Sequence, residues 1–107
     1  MSERYPPHDM NAVPHPPDYL DENLVKRWHE LAPIAVKNGS LTPRTVDSFA
    51  RYIIAEREYL RAVQRVLTAL KTGDATDANA WSMIQDRFFR EMQSTSRLFG
   101  LSPDGLL

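Results

Sequence analysis

The sequence predicts an all-α chain of three main helices, with one long central helix and a proline-rich N-terminal arm. Two observations carry that reading. Apolar residues recur at spacings of three and four along three separate stretches, and no period-two segment is long enough for a strand. Proline is also confined: five of the eight lie within the first 17 residues, and none falls between Arg44 and Ser102. The expected organisation is an arm over 1–19, a helical domain over 20–102 and a short tail over 103–107.

The arm carries Pro6, Pro7, Pro14, Pro16 and Pro17 among His8, Asp9, Asn11 and His15. Such a segment has little to bury and cannot continue a helix, so it is expected to be mobile or polyproline-like.

The first helix is expected over Asp21–Asn38. Asp21 suits the N-cap, Glu22 suits the positive end of the dipole, and Leu20 is placed to staple onto Val25. Leu24, Trp28, Leu31 and Ala35 form its apolar stripe. Pro33 removes a hydrogen bond to the His29 carbonyl, which predicts a kink or an early end.

The second helix is expected over Pro43–Lys71, with Thr42 as N-cap and Pro43 at the first helical position. Val46, Phe49, Ile53, Leu60, Val63, Leu67 and Leu70 make a heptad-like seam, interrupted by Glu56. A carboxylate in that seam needs a partner, and Arg87 or Arg90 of the third helix is the expected one. A second stripe, Tyr52, Ala55, Tyr59, Ala62, Val66 and Ala69, lies roughly 110° away at about 100° of rotation per residue. The third helix is expected over Ala78–Phe99, with Asp77 as N-cap and Gly100 as its left-handed terminator. Gly39 and Gly73 are placed in the same way behind the first two helices.

Length then constrains assembly. The central helix would be about 43 Å long, whereas a compact chain of this size has a radius of gyration near 13 Å. One neighbouring helix does not cover two apolar stripes. The sequence has no cysteine and hence no disulfide to add stability. The expectation is a homo-oligomer, with Tyr52, Ala55, Tyr59, Ala62 and Val66 at the subunit boundary. The alternative is an intramolecular bundle in which the first and third helices each cover one stripe.

Little chemistry is visible. The lack of cysteine excludes thiol catalysis and Cys-ligated metal, and no glycine-rich phosphate loop is present. His8 and His15 lie in the arm, and His29 has no carboxylate three or four residues away, so no metal site is expected. No apolar run reaches 18 residues, and the N-terminus lacks the pattern of a secretory signal; no membrane association and no cofactor are expected. The 13 Lys and Arg nearly balance the 14 Asp and Glu, which argues against a histone-like binder.

The basic residues are nevertheless distinctive, since ten of the thirteen are arginine, the residue suited to bidentate phosphate contacts. Arg44, Arg51, Arg61 and Arg65 share one sector of the second helix, together with Asp47 and Glu58. They read either as a phosphate-contacting ridge, strengthened by repetition in an assembly, or as an ordinary solvated face.

Several features, in order, resemble the small subunits of tailed-phage terminases. They are Pro16-Pro17 leading to Leu20 and an acidic helix start, Trp28, and Gly39 with Leu41-Thr42. Phe49, Tyr52, Tyr59 and Ala62 follow down the long helix, and Leu98-Phe99-Gly100-Leu101-Ser102-Pro103 closes the pattern. The chain departs from the family at Thr45, at Asn79-Ala80 and after Pro103, where no arginine follows.

The resemblance implies a non-catalytic subunit that forms an oligomeric ring, recognises viral double-stranded DNA and regulates the large terminase subunit, an ATPase and nuclease. It places the protein in the bacterial host cytoplasm and makes the 20–102 domain responsible for oligomerisation and DNA recognition. The alternative reading is a helical protein–protein adaptor without DNA binding. An arginine-lined mutase-type enzyme fits less well, because these arginines point away from the seam.

Overall fold

The computed structural model describes residues 13–101. They form α1 (Glu22–Lys37), α2 (Val46–Thr72) and α3 (Ala75–Ser96), with a 3₁₀ turn over Arg97–Phe99. No strand occurs among the described residues. The tail over 103–107 lies outside them.

The start of α1 follows the sequence: the Asp21 carboxylate accepts from the Leu24 amide at 2.9 Å. Pro33 does not end the helix, which runs on to Lys37. The proline lies on an exposed turn, so the carbonyl deprived of its donor faces solvent rather than the core.

The entry to α2 is a correction. Thr42 and Pro43 stand in a turn, and the helix begins at Val46 behind Thr45. The Thr45 hydroxyl donates to the Ser40 carbonyl at 2.8 Å and accepts from the Thr42 amide at 2.9 Å. These local bonds stabilise a turn where a first helical turn was expected.

Gly73 terminates α2 at φ 79°, and its left-handed geometry returns the Asp74 amide to the Ala69 carbonyl at 2.8 Å. Asp74, rather than Asp77, then caps α3: its carboxylate accepts from the Asp77 amide at 2.9 Å. The two helices share so short a connection that the cap falls directly after the glycine.

α2 and α3 form an antiparallel hairpin, visible in the register of Arg51 with Glu91, Tyr59 with Phe89 and Arg65 with Trp81. Ala62, Ala69 and Ala78 are buried along it, and these small side chains permit close helix approach. α1 lies antiparallel on the first half of α2. There Trp28 meets Phe49 edge-on at 5.1 Å, and Phe99 meets the same ring at 4.9 Å. Burying so many large apolar groups at the base concentrates the hydrophobic stabilisation there.

The described part of the arm makes contacts with the helices. The Trp28 indole donates to the Pro14 carbonyl at 3.1 Å, Tyr19 donates to Asp47 at 2.7 Å, and Leu20 is buried. Residues 1–12 lie outside the described residues.

The molecule is elongated, with a radius of gyration of 16.7 Å. α1 starts at the level of Arg57, whose guanidinium pairs with Asp21. Beyond that level the seam emerges uncovered: Leu60, Leu67 and Leu70 are 46%, 55% and 62% exposed.

Candidate nucleic-acid interface

The four arginines singled out in the sequence are all exposed. Arg44 stands in the turn before α2, where its amide donates to the Thr42 hydroxyl at 3.2 Å. Arg51 reaches across to α3 and donates to Glu91 at 2.9 Å. Arg61 donates to Glu58, one turn back, at 3.2 Å. The Arg65 guanidinium stacks over Trp81, 5.1 Å from the ring centre. Arg51, Arg61 and Arg65 therefore follow the flank of the hairpin that α3 borders, and each has a partner within the chain.

Arg61 and Arg65 also border a groove of about 760 Å³ between the start of α1 and the hairpin. Leu24, Ile53 and Leu60 contribute its apolar lining, with Trp81 beside them. Two further arginines that sequence reasoning missed, Arg27 and Arg57, contribute to the same groove. The signal for Arg57 was present, since it stands four and eight residues before Arg61 and Arg65. Arg27 had no such signal, because it belongs to another helix.

Arg27 is the partner of Glu56, which corrects the expectation of Arg87 or Arg90. The face of α2 that carries Glu56 meets α1, not α3. Arg27 holds both carboxylate oxygens, at 2.7 and 3.0 Å. The hydrogen bond to Glu56 raises the arginine pKa further, against the opposing effect of burial. Arg87 instead lies over the Phe88 ring at 5.4 Å.

Asp21 sits at the edge of this constellation. Its pKa is lowered, first by the Leu24 amide that it caps and then by the hydrogen bond from Arg57. Tyr19, hydrogen-bonded to Asp47, has its pKa raised by desolvation and by that carboxylate.

Most of the stripe expected at a subunit boundary packs within the chain. Tyr52, Ala55 and Ala62 are buried within the chain. Tyr59 is half-buried against Phe89 at 5.4 Å, and Val66 is half-buried. Burial raises the Tyr52 pKa, and its hydroxyl has no hydrogen-bond partner among the described residues. The covering helix is α3, which approaches along the alanines. Apolar surface is left open along the distal part of the other stripe, through Leu60, Leu67 and Leu70, and at separate positions such as Met83 and Leu98.

Among the described residues no group of three or more His, Cys, Asp or Glu is arranged to hold a metal ion. No helix among them is long and apolar enough to cross a membrane.

The fold and flank thus define a helical-hairpin protein with an arginine-bearing side and an uncovered apolar face. The chain belongs to the phage terminase small-subunit family, whose description, "Phage terminase, small subunit", matches residues 25–105. No match was found among curated proteins or solved structures. Membership supports a role in phage genome packaging.

Proposed function

We propose that this chain is the non-catalytic recognition and regulatory subunit of a packaging machine, acting in the cytoplasm of the infected bacterium. Copies associate into a ring, bind viral double-stranded DNA and regulate the large subunit that carries ATPase and nuclease activity. Arg44, Arg51, Arg61 and Arg65 contact DNA phosphates. The observation that carries this reading is the exposure of Arg51, Arg61 and Arg65 along the two-helix element, with Arg44 exposed in the turn that precedes it. Each contact is weak, and repetition around an assembly supplies affinity through effective concentration.

Association uses the open apolar stripe. Leu60, Val63, Leu67 and Leu70 repeat at spacings of three, four and three, the pattern of a seam that receives another helix. Its neighbours Gln64 and Thr68 are uncharged, so an identical copy meets no like-charge repulsion from them. Tyr59 and Val66, both half-buried, belong to the neighbouring stripe of the same helix.

A salt series of binding to double-stranded DNA tests the DNA contact. Affinity falls steeply as salt rises, and Ala substitution at Arg51, Arg61 and Arg65 makes the slope shallower by about 0.9 for each phosphate no longer neutralised. Absence of binding at about 50 mM salt, with the large subunit present, overturns it. The second reading, a helical adaptor that binds only protein, is favoured by the internal pairing of Arg51 with Glu91 and Arg61 with Glu58. That result would select it.

A further inference from the structure

Glu58 occupies an unusual position on the arginine side. One of its carboxylate oxygens, Oε2, accepts from Arg57 Nε at 3.2 Å and from Arg61 Nη1 at 3.2 Å. Two guanidiniums therefore converge on a single anionic oxygen. Arg65 follows Arg61 by one more four-residue step, each step advancing about 6 Å along the helix. Arg57, Arg61 and Arg65 all line the groove.

A carboxylate oxygen between two guanidiniums occupies the place that a phosphate oxygen takes when arginines bind nucleic acid. We infer that Glu58 is an internal stand-in for a DNA backbone phosphate. Arg57 and Arg61 together form the phosphate site, and Glu58 must leave it before DNA can bind. This rests on the proposed DNA contact and deepens it in two ways. It adds Arg57 to the contacting residues, and it makes Glu58 the residue that sets affinity.

The geometry permits the exchange. Glu58 is 30% exposed, so its side chain can swing into water, and its pair with the exposed Arg61 contributes little net stability. Arg57 stays anchored through Asp21, the N-cap of α1. One guanidinium is thus held in place while the other is free to close on the incoming group. A phosphate carries more acceptor oxygens than the carboxylate it displaces, so both arginines gain partners.

The test compares full-length wild type with Glu58→Gln and Asp86→Asn, using one labelled double-stranded oligonucleotide across a salt series. Asp86 is exposed on α3 and serves as a matched loss of one negative charge. The expected result is about fivefold tighter binding by Glu58→Gln, with a salt slope steeper by about 0.9 and little change in Asp86→Asn. Adding Arg57→Gln to Glu58→Gln removes the gain. Circular dichroism of each variant checks that the helices remain.

Wild-type binding with an unchanged affinity and slope in Glu58→Gln overturns the inference and leaves the DNA contact standing. Equal gains in Glu58→Gln and Asp86→Asn also overturn it, because the effect is then one of overall charge. No binding by either wild type or Glu58→Gln overturns both the inference and the reading beneath it.

Discussion

Arg27 grips Glu56 through two hydrogen bonds, Nε to Oε1 at 2.7 Å and Nη2 to Oε2 at 3.0 Å. This pair fixes the register of α1 on α2, because it sits where the stripe under α1 changes from apolar to charged. Glu56 is almost fully buried, and Arg27 also reaches Glu30 at 2.9 Å.

Removing one partner leaves the other stranded. Arg27→Ala should destabilise the fold by about 2–4 kcal/mol, somewhat below a fully buried pair because Arg27 is partly exposed. The double substitution to Met at both positions should recover most of that loss. Urea unfolding of the three variants measures it, and a double variant no better than Arg27→Ala refutes the account.

Asp21 gives the fold an acid sensitivity. Its pKa is depressed below the ordinary 3.8, so the folded state favours the carboxylate. Its contribution is complete above the unfolded value and is lost as pH falls through the lower folded value. Thermal midpoints of wild type and Asp21→Asn should therefore differ at pH 7 and draw together as the pH falls below the ordinary 3.8. A constant difference across that range would contradict the assignment.

Gly100 and Gly73 are both left-handed, yet their surroundings differ. A Cβ at Gly100 would come within 2.9 Å of Asn38 Nδ2, whereas nothing lies within 4 Å of one at Gly73. The crowded Asn38 side chain also holds the Phe99 carbonyl at 2.8 Å and thereby ties the end of α3 to the end of α1. Gly73→Ala should cost about 1 kcal/mol from backbone strain alone, and Gly100→Ala about 2 kcal/mol or more. Calorimetry that ranks them the other way would remove the tie.

The two stripes of α2 should respond oppositely to substitution. Leu67→Glu alters an exposed position and should change monomer stability by less than about 0.5 kcal/mol while abolishing self-association. Ala62→Leu overfills the buried α2–α3 contact and should cost about 1–3 kcal/mol. Sedimentation velocity and chemical unfolding separate the two effects. Persistent assembly in Leu67→Glu would move the contact elsewhere.

The helices were legible because each is bounded by a residue with a backbone reason to stop, Gly73 above all. Both stripes of α2 were legible too, since periodicity reports faces directly. What periodicity does not report is which face receives which neighbour. Tyr52, Ala55 and Ala62 suited a partner helix, and within the chain they are already buried. Thr42 misled because the competing bond, from Thr45 to Ser40, closes a turn that no helical pattern encodes. The arginines were identifiable as a group, but the acids that hold them are set by side-chain reach. Glu58 and Glu91 lie one turn away and one helix away, and Arg27 reaches Glu56 from a segment 29 residues earlier.

The overhang of the hairpin past the first helix has a consequence for local opening. Near Phe49 the helix buries Phe49, Ala50, Tyr52 and Ile53 completely, whereas around Leu67 and Leu70 only Ala69 is buried. Deuterium uptake should accordingly run as a gradient, slow at the aromatic base and fast toward Gly73. Whatever seats itself on that projecting finger will slow exchange there most, so the finger doubles as its own reporter of occupancy.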